Sequence, residues 1–253
     1  MKYSVCSSAV YSGLPLAGTL ARIRAAGFGA YEFWSWWDQD LDALDEARRR
    51  TGLKTAAMCT RFTALNDPSA REAYIEGLTA SIQVAKRLKC PTLISQVGSE
   101  IPGVPREEQH RSIVEGLRAC RHMLEDSGIV LAIEPLNTLV NHKGYYLARS
   151  DEGFEIVREV DSPCVKLLFD IYHQQVTEGS IIWNLTQNIT DVAHIHIAGN
   201  PGRHEPYENS ELDYPTVLKA VKAAGYKGYV GLEYLPLRDP DESLKTLLER
   251  MPL

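Results

Sequence analysis

The sequence predicts an α/β protein, a single (β/α)8 TIM barrel over residues 1–253, on three observations. Short apolar runs rich in β-formers recur eight times, at 3–6, 30–33, 53–59, 92–96, 129–133, 165–169, 192–197 and 229–232. Their spacing is that of successive βα units. The segments between them carry helical period and most of them stop at glycine. Residues 16–26 end at Gly27, 40–51 at Gly52, 106–127 at Gly128 and 212–224 at Gly225, a residue favoured just past a helix C-terminus. Residues 68–88 align Tyr74, Leu78, Ile82, Ala85 and Leu88 on one stripe. The runs at 92–96, 129–133 and 165–169 are continuous rather than alternating, as in parallel strands covered on both faces. Eight such units in one chain satisfy the barrel. An open doubly wound sheet is disfavoured, because no GxGxxG follows the first run.

Composition excludes several classes. Lys+Arg is 27 and Asp+Glu is 33, so the formal charge is −6, and a basic nucleic-acid footprint is missing. Hydrophobic residues are 44% and charged residues 24%, ordinary globular usage that argues against disorder. No apolar run approaches the roughly 18 residues of a membrane span. The start, Met1 to Cys6, runs into Ser and Gly without an apolar core, so no signal peptide is expected. Cys6, Cys59, Cys90, Cys120 and Cys164 make an odd set without a CxxC pair. They read as reduced, mostly buried thiols of a cytoplasmic protein, not as a disulfide framework or zinc knuckle.

In a barrel the chemistry gathers at the C-terminal ends of the strands. The fifth run ends Ala132-Ile133-Glu134-Pro135, the sixth Leu168-Phe169-Asp170, the seventh reads His194-Ile195-His196-Ile197, and the eighth ends Gly231-Leu232-Glu233. Each polar group taken alone has an ordinary reading: Glu134 as an ion-pair partner, Asp170 as a helix cap, His196 as a satisfied core histidine. Four at equivalent places on consecutive strands point to a common ion, since a carboxylate after apolar strand residues is expensive to bury unpaired. Three carboxylates and one imidazole form a hard, oxygen-rich set suited to one Mn²⁺ or Mg²⁺, with Co²⁺ and Zn²⁺ left open.

Around this quartet stand candidate substrate-binding groups. His173 follows Asp170 on the next loop and is placed to reach a substrate oxygen. Arg203, between Gly202 and His204, suits a carboxylate or polyol oxygen. Glu32 ends the second run and supports the site from behind or forms a hydrogen bond in the barrel floor. Trp34, Trp36 and Trp37 follow it and offer an aromatic wall, with core packing or a subunit contact as the alternatives. Arg61 lies beyond the third run. His142 and Lys143 are expected on a solvated loop.

These residues carry a resemblance. Ile133-Glu134-Pro135-Leu136-Asn137-Thr138 with Gly144-Tyr145-Tyr146-Leu147, Phe169-Asp170-Ile171-Tyr172-His173-Gln174, Asn200-Pro201-Gly202-Arg203-His204-Glu205-Pro206 and Gly231-Leu232-Glu233-Tyr234 resemble the hydroxypyruvate isomerase family of the xylose-isomerase-like barrels. The general likeness spans nearly the whole chain; the specific motifs lie in about 129–235. It implies a divalent metal held at Glu134, Asp170, position 196 and Glu233, with the two glutamates as catalytic acid/base groups. Many members carry Gln where this chain has His196, and histidine there is the ketose 3-epimerase pattern. Those epimerases place a second glutamate where this chain has Val140. Residues 207–213 depart from the family's usual Gly-Thr-Gly-Glu-Ile-Asn.

The expected function is therefore metal-dependent isomerisation of a small hydroxy-carbonyl compound, hydroxypyruvate/tartronate semialdehyde or a related oxo-sugar acid, by proton transfer through an enediolate. The alternative is a ketose 3-epimerase acting on free ketohexoses. Endonuclease chemistry on this fold needs more histidine ligands than the seven histidines supply at strand ends. A non-catalytic sugar sensor needs a missing ligand, and none is missing. The expected partner is a small sugar or hydroxy-keto acid, with no nucleic acid and no membrane. Homo-oligomerisation is left open: family members often form dimers or tetramers.

Overall fold

A computed structural model describes all 253 residues. Eight parallel strands close in sequence order into a barrel: β1 (Lys2–Cys6), β2 (Ala30–Phe33), β3 (Lys54–Cys59), β4 (Thr92–Ser95), β5 (Val130–Ile133), β6 (Val165–Asp170), β7 (Val192–Ile197) and β8 (Tyr229–Leu232). All eight lie where the apolar runs predict them. Closure pairs β1 with β8, with Ser4 opposite Gly231 and Val5 opposite Leu232.

Side chains alternate between the two faces of each strand, and this alternation sorts the core from the site. Leu131, Ile133, Leu167, Phe169, Ile195, Ile197, Val230 and Leu232 belong to the large cluster packed against the outer helices. Ala57, Cys59, Ile94, Ala132 and Leu168 form a separate small cluster on the opposite face, inside the barrel. Glu134, Asp170, His196 and Glu233 each continue that inward row by two residues, from Ala132, Leu168, His194 and Gly231.

The helices follow the predicted stripes with two local differences. The segment 106–127 is divided into Arg106–Ala119 and Arg121–Ser127. At Cys120 the backbone turns to φ −91°, ψ −7°, the shape of a tightened last turn. The segment predicted at 212–224 begins at Tyr214, because the Asp213 carboxylate accepts from the Thr216 N–H and sets the start. Gly52 and Gly128 end their helices at φ 70° and 67°, a left-handed conformation that other residues resist. Helices Ser150–Val160, Ile171–Thr177, Ile181–Gln187 and Pro240–Arg250 complete the outer layer. No helix is long and apolar enough to cross a membrane. The five cysteines are unpaired, four of them buried.

Phe169 lies directly before Asp170, is fully buried and stacks on Phe154 with ring centroids 6.4 Å apart. Phe169→Ala is expected to destabilise the fold by about 3–5 kcal/mol, measured by urea unfolding; a loss under about 1 kcal/mol would show that β6 is not anchored through this contact.

Candidate active site

Consecutive strands bring the predicted quartet together. His196 pairs in register with Asp170 on β6 and with Gly231 on β8, two residues before Glu233. The potential ligand atoms of Glu134, Asp170, His196 and Glu233 all lie within 4.8 Å of one another, and all four residues are buried. His196 Nδ1 is 3.7 Å from Glu134 Oε1 and 3.5 Å from Glu233 Oε2. Asp170 uses one oxygen locally: Oδ1 accepts from the Tyr172 N–H at 2.8 Å and the His173 N–H at 3.2 Å, capping the helix Ile171–Thr177. Its Oδ2 and the His196 Nδ1 are buried without a hydrogen-bond partner.

Such orphaned polar atoms, among three buried carboxylates, fit a divalent cation, which would take the place of the imidazole proton at Nδ1. The charge pattern agrees. Burial pushes Glu233 up, but the Arg203 guanidinium and His196 outweigh it and hold the carboxyl well below the usual range. Burial raises Asp170; Arg203 lowers it and Glu233 raises it further, leaving it above its ordinary value. Burial opposes protonation of His196, yet Glu233 and Glu32 raise it well above the ordinary imidazole. Arg203 lies against Glu233 Oε2 and 3.9 Å from Asp170 Oδ2, so a positive charge already stands beside the carboxylates.

Glu134, His196 and Glu233 line a cavity of about 410 Å³, while Asp170 stays outside its lining. Trp34 lines it and donates its indole N–H to Glu233 Oε1 at 2.6 Å. Arg203 lines it as well. Among the lining residues that the sequence did not mark as site groups are Phe62, Gln96 and Tyr145. Gln96 donates to Glu134 Oε2 at 3.2 Å. The Tyr145 hydroxyl receives the Val97 N–H at 2.8 Å and donates to the Glu134 carbonyl at 3.1 Å, tying the ends of β4 and β5 together. Gln96 carried a findable signal, a polar residue closing an apolar run, although its side chain is not ionisable. Tyr145 stands in a motif that carries the family resemblance, which gave it no role at the site, and Phe62 carried no signal.

Other predicted residues fall elsewhere. His173 is fully buried and does not line the cavity. Its Nδ1 accepts from the Asn137 backbone N–H at 3.2 Å, which turns Nε2 toward Asp170 Oδ2, 3.6 Å away. Glu32 does not face the cavity either; it lies buried beneath His196, contacting both strand-seven histidines. Arg61 is exposed and stacks on Trp36 at 5.3 Å from the ring centre, outside the lining. Trp36 is buried in the core, its indole bound to Ser81, and Trp37 packs edge-on against Phe62. His142, expected on a solvated loop, instead lines the cavity with its ring 5.2 Å from that of His173, while Lys143 stays exposed.

The fold is a closed (β/α)8 barrel whose rim gathers three carboxylates and an imidazole close enough to hold an ion. The family model described as "Xylose isomerase-like TIM barrel" matches residues 20–251, and the chain belongs to that family. A human relative, provisionally named a hydroxypyruvate isomerase, is 31% identical over 92% of this chain and 89% of its own. The 2-oxo-tetronate isomerase of Pectobacterium atrosepticum is 28% identical over 96% of this chain and 95% of its own. Among solved structures, one described as AP endonuclease, family 2, from Brucella melitensis superposes with a TM-score of 0.91 at 27% identity, covering 98% of this chain and 99% of the other.

Two outcomes follow from the geometry. Mn²⁺ at 100 times its dissociation constant should stabilise the protein by about 2.7 kcal/mol, read as a rise in Tm that Asp170→Ala removes; an unchanged Tm in the parent protein argues against a cation site. Burial holds His173 neutral down to about 3, against 6.5 for an unperturbed imidazole. The unfolded chain therefore takes up its proton first. The stability due to neutral His173 is complete above pH 6.5 and declines as pH falls toward 3. His173→Gln should flatten the acid side of the urea-midpoint profile of metal-free protein; an unaltered slope would contradict this.

Proposed function

We propose that this isomerase interconverts small 2-oxo acids that carry a hydroxyl on the neighbouring carbon, with hydroxypyruvate/tartronate semialdehyde as the first substrate pair to test and 2-oxo-tetronates next. The observation that carries the reading is the pair of buried glutamates flanking His196 at the mouth of the cavity. The relatives' names supply the substrate class.

The reaction must take a proton from a carbon next to a carbonyl and return it to the neighbouring carbon. One divalent cation, Mn²⁺ or Mg²⁺ by the donor set, would be held by Glu134, Asp170, His196 and Glu233 and would supply Lewis-acid stabilisation of the charge that develops. Glu134 and Glu233 are assigned the proton transfers, one carboxylate taking the proton and the other returning it. Glu233 is kept ionised by Arg203 and His196 and oriented by the Trp34 indole. Glu134 is oriented by Gln96 and, through its backbone carbonyl, by Tyr145. Arg203 is the cavity group suited to the substrate carboxylate, trading its contact with Glu233 for a planar, charge-assisted pair. Trp34 and Phe62 form an apolar wall that limits water at the reacting carbons.

His196 favours ketose 3-epimerisation as the second reading. Against it, Val140 is exposed, does not line the cavity, and supplies no carboxylate. The formal charge of −6 opposes a nucleic-acid substrate.

Glu134→Gln and Glu233→Gln should each lower kcat by about 10²- to 10⁴-fold while the far-ultraviolet circular dichroism is preserved. In D₂O, turnover should place deuterium on the terminal carbon of hydroxypyruvate. Deuterium at C3 of a ketohexose would select the epimerase instead, and full activity in both variants would refute the assigned roles.

A further inference from the structure

We infer that Glu32 is a positioning residue that holds the His196 imidazole with its proton on Nε2, leaving Nδ1 as the atom presented to the cation. The inference rests on the cation site proposed above and deepens it.

His194 and His196 stand two residues apart on β7 and so project on the same face. Glu32 reaches them from β2. Its Oε2 accepts from His194 Nε2 at 2.8 Å and from the Ser4 hydroxyl at 2.8 Å. Its Oε1 lies 2.9 Å from His196 Nε2, an ion-pair contact out of line for a hydrogen bond, and both atoms are buried without a hydrogen-bond partner. An ionised carboxylate only accepts. At 2.9 Å two lone pairs would repel, so the Nε2 that meets Oε1 is the nitrogen that carries the proton, and the opposite ring nitrogen, Nδ1, faces Glu134 and Glu233.

The barrel makes room for this contact. Between β2 and β7 lie β8 and β1, and the carboxylate passes them at Gly231 and Ser4, which are register partners. Gly231 is also in register with His196. A Cβ at position 231 would sit 2.3 Å from Glu32 Oε1 and 2.6 Å from His196 Cδ2. A side chain there would push the carboxylate and the ring apart. Ser4, opposite, contributes a hydroxyl to the same carboxylate.

Glu32, His194 and His196 are themselves close enough to hold an ion. The 2.8 Å contact from His194 is a hydrogen bond and the 2.9 Å contact from His196 is an ion-pair contact, and the Ser4 hydroxyl already donates to the carboxylate. Two hydrogen bonds and one ion-pair contact place the carboxylate among these groups without a second ion. Outer carboxylates of this kind fix the tautomer of a ligating histidine and raise its basicity.

Two measurements test the inference. Protein labelled with ¹⁵N-histidine and loaded with Mg²⁺ should show a one-bond N–H coupling at His196 Nε2 and none at Nδ1, the signal being assigned by its loss in His196→Gln. Calorimetric titration with Mn²⁺ should give one site per chain, weakened about 10- to 100-fold in Glu32→Gln and in Gly231→Ala. A proton on His196 Nδ1 overturns the inference, as does parental affinity in Glu32→Gln. Two Mn²⁺ per chain, one of them lost in Glu32→Gln, would make the triad a second ion site and also overturn it. If the parent protein binds no Mn²⁺, the cation reading fails as well; if the parent binds and Glu32→Gln binds equally, only this inference fails. The tautomer measurement uses the parent protein and decides the matter even where Glu32→Gln does not fold.

Discussion

Three buried carboxylates turned toward one another are the constraint on which the rest of this structure depends. Glu134, Asp170 and Glu233 share one small volume with a single imidazole. At such separations like charges repel strongly in a low-dielectric interior, and desolvation adds to the cost. Nothing in the packing of the fold requires this arrangement, because the outer cluster of leucine, isoleucine, valine and aromatic side chains already supports the barrel. The protein keeps the carboxylates together through backbone register, which fixes where each strand ends. It offsets part of their charge with His196 and Arg203. A divalent cation is the proposed remainder.

The layers beneath the mouth serve this arrangement. Ala132, Leu168, Gly231 and Ser4 are small or flexible inward residues. They leave space for the polar groups set two residues further along, or for a carboxylate crossing the barrel. Asp170 performs two tasks with its two oxygens. One caps the helix that follows β6, and that cap fixes the rotamer that aims the other into the cluster. Trp34, Gln96 and Tyr145 each come from a different strand end or loop and each touches one of the glutamates. The flanking carboxylates are thereby held in place before any substrate arrives, which is how a proton-transfer site avoids reorganisation during the reaction.

The strands and the quartet were legible in the sequence for the same reason. Strands buried on both faces must be continuously apolar, so a carboxylate closing such a run stands out, and parallel register carries equivalent positions to one rim. What the sequence hid was direction and depth. Glu32 lies inside β2, one residue before its end, whereas Glu134 follows β5, and it sits under the site where Gly231 leaves a passage. His173 reads as a rim residue but is drawn inward by Asn137. Arg61 reads as a rim cation but its guanidinium lies over the Trp36 ring. His142 reads as a solvated loop residue but folds back over the cavity. Phe62 and Tyr145 come from loops whose paths no periodicity encodes. The break at Cys120 interrupts a segment whose stripe continues on both sides, so the pattern alone reads it as one helix.

The most direct test of the central claim is anomalous diffraction at the manganese edge, from crystals grown with Mn²⁺. The account predicts a single strong peak within bonding distance of Glu134, Asp170, His196 Nδ1 and Glu233 together. A peak elsewhere, or none among these four side chains in crystals shown to contain the ion, would contradict it.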